Sequence, residues 1–543
     1  MRSNKLSRRG LLQAAAATSM AAAFAPFRAS ALPRSQPAQV PSFDLDETTI
    51  PELQRGMESG RFTARSLAEI YLSRIEAIDK GGPGLRSVIE TNPDALSIAG
   101  ALDKERKVSG PRGPLHGIPV LIKDNIDTAD GMMTTAGSLA LVGARPPKDS
   151  FVAGKLRQAG ALILGKTNPS EWANIRSTHS TSGWSGRGGL TRNPYVLNRN
   201  ACGSSSGSGA GVSANLCAAA VGTETNGSIV CPSSANGVVG IKPTVGLISR
   251  SGIIPISHTQ DTAGPMCRTV RDAAILLGVL AGVDPEDSAT LAARDRLAPD
   301  YTKSLSPDGL RGARIGVVRK YFGFHAAVDA LMEQSLDAMK KLGATIVDPA
   351  DIETIGKTGE TELLVLLYEL KSDLNAYLAR LGPSAPVHSL KEVIAFNERF
   401  REKEMPYFGQ EFFLKAEAKG PLTTKEYRDA LETNLRLMRA EGIDATMDKF
   451  KLDALVGPSG GPAWLTDLVN GDSDLGGSAG AAAIGGYPSI SVPAGFVFGL
   501  PVGISFFGRA WSEQTLIKLA YSFEQATRIR KPPKFLPTAD LQT

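Results

Sequence analysis

At 543 residues, 42% of them hydrophobic and 21% charged, the chain has the length and apolar content for a large folded core. Its formal charge of +5 is accounted for by Arg2, Lys5, Arg8, Arg9 and Arg28, with no acid in residues 1–31. The remainder is therefore balanced, which argues against a nucleic-acid partner.

The N-terminus reads as a twin-arginine export signal: Ser7-Arg8-Arg9-Gly10-Leu11-Leu12, an alanine-rich run to Ala25, and Ala29-Ser30-Ala31 as a small-residue cleavage site. A retained basic leader would contain the same arginines without needing that site. The export reading divides the chain into a signal peptide, 1–31, and a mature domain, 32–543. It implies a periplasmic or secreted enzyme that folds before export and meets the twin-arginine translocase. Past the leader no segment is apolar enough to span a bilayer, so no stable membrane insertion is expected once the signal is removed.

After Thr63, a capping residue, Leu67, Ile70, Tyr71, Ile75 and Ile78 recur at helical spacing. The apolar run 118–122 reads as a strand and ends in Lys123. A lysine there either snorkels to solvent or is desolvated, its pKa drawn toward neutrality, as a general base needs. Residues 151–158 read as a helix, Gly160 as its stop and 161–164 as a buried strand.

Residues 203–209, GSSSGSG, are either a flexible loop or a loop entering the core. The second reading is favoured by the small apolar run 210–221, which reads as a buried helix. Glycines there let backbone approach closely, and the hydroxyls can bond one another and a lysine. In Thr225-Asn226-Gly227-Ser228 the glycine lets successive N–H groups converge, either as an oxyanion site or as a tight turn with a capping serine. The four cysteines, Cys202, Cys217, Cys231 and Cys267, lack CxxC spacing and read as small buried residues; a disulfide in an oxidising periplasm is the alternative, although a core this size needs none.

Short strands at 314–318 and 344–347 flank a helix at 327–342, and 452–456, 490–492 and 502–507 add further strands. Residues 360–442 read as almost entirely helical, with Leu363, Leu364, Leu367, Tyr368 and Leu374 on one long helix, either a cap over the sheet or an ordinary outer layer. The fold class is α/β: a single large mixed or parallel sheet surrounded by helices. With only five histidines, His116, His179, His258, His325 and His388, and no HExxH pair, neither a zinc site nor a serine–histidine triad is indicated.

Three segments, GPLHGIPVLIKDN ending at Asn125, the serine-glycine run from Gly203 and GTETNGSIVCP from Gly222, resemble the amidase signature family. The resemblance runs from about residue 63 to 527 and takes in GKTN at Gly165 and DTAGPM at Asp261. Its most specific part is a core at about 110–270. SEWAN at Ser170, SGWSGRGG at Ser182 and TRNPY at Thr191 are most similar to bacterial peptide amidases.

The resemblance implies the family's fold and a Ser–cis-Ser–Lys triad without cofactor or metal. In it Ser228 is the nucleophile, Ser204, after a cis peptide, the relay, and Lys123 the base. Backbone N–H groups of Thr225, Asn226, Gly227 and Ser228 would hold the oxyanion, and Ser205 would support Lys123 from one contact further out. Departures from the family's common residues at Cys202, Asn226 and Cys231 remove no catalytic group, and the last argues against a role in tRNA amidation.

The implied activity is hydrolysis of a carboxamide, with C-terminally amidated peptides as the leading substrate class and aryl-acylamides or other small amides as the alternative. A remote alternative is a periplasmic binding protein on a non-catalytic scaffold. Tyr368, Phe408 and Trp464 are candidates for the pocket wall, with core packing as the competing role of each.

Overall fold

The computed structural model describes Ala38 and residues 40–541; the leader expected in residues 1–31 lies outside them. The apolar runs become strands of one eleven-stranded sheet. Across it the order is Val88–Thr91, Leu162–Thr167, Pro119–Lys123, Ala219–Glu224, Thr262–Cys267, Val239–Lys242, Ser489–Val497, Leu500–Phe507, Ala454–Pro458, Arg314–Val317 and Thr345–Val347. The sheet is mixed. Pro119–Lys123 runs parallel to both neighbours, whereas Thr262–Cys267 is antiparallel to both of its own. Pro119–Lys123, Leu162–Thr167 and Ala219–Glu224 are buried at every residue, as strands covered by helices on both faces must be. Parallel pairing also brings strand C-termini together, which sets Lys123 beside the end of Ala219–Glu224.

Local chemistry sets the helix starts. Thr63 accepts from Ser66 N–H at the head of Ala64–Arg74, and Ser150 accepts from Ala153 N–H at the head of Phe151–Gln158. The expected helix over 210–221 is corrected. A helix spans Ser206–Ser213, the chain turns through Asn215, whose φ is +58°, and Ala219 opens a strand. The run is buried throughout, so its composition has no polar face to distinguish a period of 3.6 from one of 2.

Gly359–Arg380, Leu390–Arg399, Glu411–Glu417 and Lys425–Met438 form a helical layer. Leu374, Leu378 and Phe413 build an apolar cluster there that also takes in Trp172, Ile254 and Ile256, from loops near the C-terminal ends of the central strands. Full burial of each such side chain contributes about 1.5–3 kcal/mol, so the layer is firmly seated on those loops. Among the described residues, no helix is long and apolar enough to cross a membrane.

The two readings of the cysteines each hold for one pair of them. Cys202 and Cys231 form a disulfide, while Cys217 and Cys267 are buried thiols. The fold lays the two serine-bearing segments side by side and brings the paired Cα atoms to 6.0 Å across a sequence separation of 29, a proximity invisible in linear spacing.

Candidate active site

Lys123 ends its strand fully buried. Its Nζ lies 2.6 Å from Ser204 Oγ, 2.9 Å from Thr223 Oγ1 and 3.3 Å from the Thr223 carbonyl. It forms no ion pair with any described residue. Burial therefore outweighs the attraction of the more distant Asp261 and Glu224 carboxylates and brings its pKa down to about 7. A neutral amine has two N–H bonds and one lone pair. With Thr223 Oγ1 and the Thr223 carbonyl as acceptors, the lone pair is left to face the Ser204 hydroxyl.

The loop at Ser204 is locked by close approach. The Gly203–Ser204 peptide is cis. A Cβ on Gly203 would stand 2.1 Å from Ser170 Oγ, so no larger residue fits there. The Ser204 carbonyl accepts from Ser170 N–H at 3.0 Å, and Ser205 N–H donates to the Ser228 carbonyl at 3.1 Å. Ser205 Oγ donates to the Thr223 carbonyl at 2.9 Å and accepts from Thr223 N–H at 3.1 Å, so it reaches Lys123 through Thr223. Thr223 fills the direct place. It lies inside the GTETNGSIVCP motif, yet its role as a lysine acceptor had no signal of its own.

Ser228 is 8% exposed, and its hydroxyl makes no hydrogen bond to any described residue. Gly227 takes φ +81°, a left-handed turn that favours glycine. The next two amides, Ile229 and Val230 N–H, are consumed by the Glu224 carboxylate at 2.7 and 3.0 Å. Among the described residues, no hydrogen bond uses the backbone N–H of Thr225, Asn226, Gly227 or Ser228. Four consecutive unused donors beside a free hydroxyl have the composition of an oxyanion site.

This turn is held from outside by residues to which the sequence assigned no such role, Asp261 having been noted only as the start of the DTAGPM run. Thr225 Oγ1 donates to Asp261 at 2.5 Å, and the other Asp261 oxygen accepts from Ile256 and Ser257 N–H. Burial lifts Asp261 to about 6. Glu362, in the first turn of Gly359–Arg380, accepts from Asn226 Nδ2 at 2.7 Å and Gln260 Nε2 at 3.1 Å, and burial raises its pKa. The helical layer thereby grips the turn directly.

A cavity of about 380 Å³ opens beside the serine loops, with Gly203, Asn226, Gly227, Asn174 and Trp464 in its wall and the disulfide along one side. Of the three aromatic candidates only Trp464 lines it. Phe408 packs on Trp184 and Arg176, and Tyr368 stacks on Tyr427 and donates to Glu426. Elsewhere His258, Glu369 and Asp373 have ligand atoms close enough to hold a cation. Their groups already serve each other and Ser257, Thr259 and Tyr427, which makes a hydrogen-bonded brace between the helical layer and the loop before Asp261.

A family model described as Amidase matches residues 66–517. A probable amidase of Arabidopsis thaliana is 46% identical over 504 residues, covering 91% of this chain and 93% of that protein. The structure of native peptide amidase from Stenotrophomonas maltophilia matches with a TM-score of 0.87 at 50% identity, covering 91% of this chain and all of that one. The crystal structure of an amidase family protein from Bacillus anthracis matches with a TM-score of 0.81 at 38% identity, covering 90% of this chain and 92% of that one.

Proposed function

From the premise that the chain belongs to the amidase family, and is an amide hydrolase, we propose that Ser228, Ser204 and Lys123 carry out the reaction and that its substrates are C-terminally amidated peptides. The observation behind the assignment is the buried lysine without a counter-ion, 2.6 Å from Ser204 Oγ. As Ser228 Oγ attacks the amide carbonyl, its proton passes to Ser204 and the Ser204 proton to Lys123. The oxyanion takes N–H donors from the Thr225–Ser228 turn. Lys123 returns the proton through Ser204 to the leaving nitrogen, the C–N bond breaks, and ammonia departs from an acyl-Ser228 ester. Water then attacks the ester, its proton follows the same relay, and the acid is released.

The substrate class rests on the likeness to the Stenotrophomonas maltophilia peptide amidase. Ammonia release from an amidated dipeptide, measured beside an anilide and beside Ser228→Ala, tests both parts. Release abolished by the substitution supports the proposal. Turnover of the anilide alone moves the substrate to aryl-acylamides, and undiminished turnover by Ser228→Ala overturns the nucleophile.

We also propose export through the twin-arginine route. The Cys202–Cys231 disulfide supports it, because such bonds persist in oxidising compartments and are rare in the cytosol. Expression with Arg8→Lys and Arg9→Lys, followed by fractionation, should leave the enzyme in the cytoplasm; unchanged export would refute that route.

A further inference from the structure

One part of the cavity wall consists of acceptors with no cation to answer them. Asn174 reaches it from a turn in which Trp172, Ala173 and Asn174 have φ of 49°, 52° and 75°. Left-handed backbone at such residues is strained and persists only where the surroundings enforce it. Here they do. Trp172 N–H donates to the Ala136 carbonyl at 2.9 Å, its ring meets Phe413, and the fully buried Arg176 donates to Glu171 and to the Glu404 carbonyl. The turn places Asn174 in the wall with its Nδ2 donating to Ser182 Oγ at 3.3 Å, while its Oδ1 is closed off from the cavity space.

Asp472 and Asp474 join the same wall from the segment after Trp464. Asp472 is oriented by Ser182 N–H at 3.0 Å, Ser182 Oγ at 2.6 Å and Trp464 Nε1 at 3.2 Å. Neither aspartate is in an ion pair with any described residue, and no lysine or arginine lines the cavity. A hydrogen bond from a cationic donor to a carboxylate is about twice as strong as a neutral one, so the two carboxylates favour a positive group in the cavity.

We propose that this wall, formed by Asn174, Asp472 and Asp474, selects cationic amides: amidated peptides or amino-acid amides that bear a protonated amine, to the exclusion of amides that bear a carboxylate. The proposal rests on the reading of this cavity as the amide-hydrolysis site. The same negative field repels the acid that hydrolysis produces, so product inhibition is weak.

The test compares kcat/KM for one amidated dipeptide with a free and with an acetylated N-terminus, and for amides that differ by lysine, norleucine or glutamate. The cationic member of each pair should lead by about fivefold to tenfold, mostly in KM, and the lead should shrink at about 0.5 M salt. In Asp474→Asn the ratio of cationic to neutral substrate should fall toward one. Asp472→Asn should also lower that ratio, whatever it does to the absolute rate through Ser182 and Trp464. Equal rates for charged and neutral substrates in the wild type, or a ratio unchanged in both variants, would overturn the proposal. If only anilides are hydrolysed, the peptide reading fails, and the same comparison passes to lysine and norleucine nitroanilides: a lysine preference upholds the charge selection and equality overturns it.

Discussion

Replacing Cys202 and Cys231 together with alanine tests whether the bond between the serine loops sets both stability and rate. Its sequence separation of 29 corresponds to a loop-closure entropy worth about 3.6 kcal/mol at 25 °C. With a urea dependence of about 3 kcal/mol per molar, the unfolding midpoint should fall by roughly 1 M. Cys202 stands two residues before Ser204 and Cys231 three after Ser228, so the loss also loosens the alignment of relay and nucleophile. Small misplacements of reacting groups are costly in rate, and kcat should drop about tenfold with KM little changed. Urea unfolding of the oxidised wild type, the reduced wild type and the variant, each with steady-state kinetics, measures both effects. A variant that unfolds at the wild-type midpoint and keeps its kcat would refute the reasoning.

With Lys123 near pKa 7, kcat/KM should rise about tenfold between roughly pH 6 and 8, and a flat profile over that range would remove the lysine as base. Because the unfolded lysine keeps its proton up to its ordinary value of 10.5 and the folded one loses it at about 7, stability should rise with pH between those limits. The burial cost, of order 5 kcal/mol, is fully present below pH 7. Inactive Lys123→Met should then resist urea better than wild type at low pH, and a lower midpoint would contradict the assignment. Glu362→Ala deprives Asn226 and Gln260 of their acceptor and should lower kcat about tenfold, while Glu362→Gln, which keeps a carbonyl oxygen there, should restore most of the rate; equal rates in both would exclude a positioning role. Arg176→Met leaves Glu171 and Glu404 buried without their cation and should cost about 3–5 kcal/mol by urea unfolding. Burial already raises Glu171 well above its ordinary range, so that deficit should narrow as pH falls and Glu171 protonates.

The strands at 118–122 and 161–164 were legible because a run buried on both faces has one simple signature, unbroken apolarity. The same simplicity failed at 210–221, where helix and strand follow one another in residues so small and so uniformly buried that no period survives. At the site, Lys123, Ser204 and the 225–228 turn were candidates on local chemistry, a cation ending an apolar run and hydroxyls among glycines, but snorkelling and tight-turn readings competed until the family resemblance joined them, and the fold brings Lys123 to Ser204. Glu362, Asp261 and Asp472 could not, since a lone carboxylate on a surface-like stretch acquires its role only from what the fold lays against it. Of the aromatic candidates, Trp464 lines the cavity while Tyr368 and Phe408 pack elsewhere, a distinction that aromatic character alone does not encode.

On the proposed assignment of Lys123 as base, its surroundings account for how a buried lysine can stay neutral beside two acids. Asp261 and Glu224 are near enough to pull its pKa upward. Were either to pair with it directly, the charged form would be favoured and the lone pair lost. Both are instead occupied by other donors: Asp261 by Thr225 Oγ1 and the Ile256 and Ser257 amides, Glu224 by the Ile229 and Val230 amides. Those same bonds shape the two ends of the turn that holds Ser228. Asp261 spends both oxygens on those bonds, Glu224 spends Oε2 there while its Oε1 is buried without a partner, and the lysine is left facing a carbonyl and two hydroxyls. On the proposed roles, one set of contacts shapes the oxyanion turn and holds Asp261 off the lysine, so a change that frees that carboxylate should disturb both functions at once.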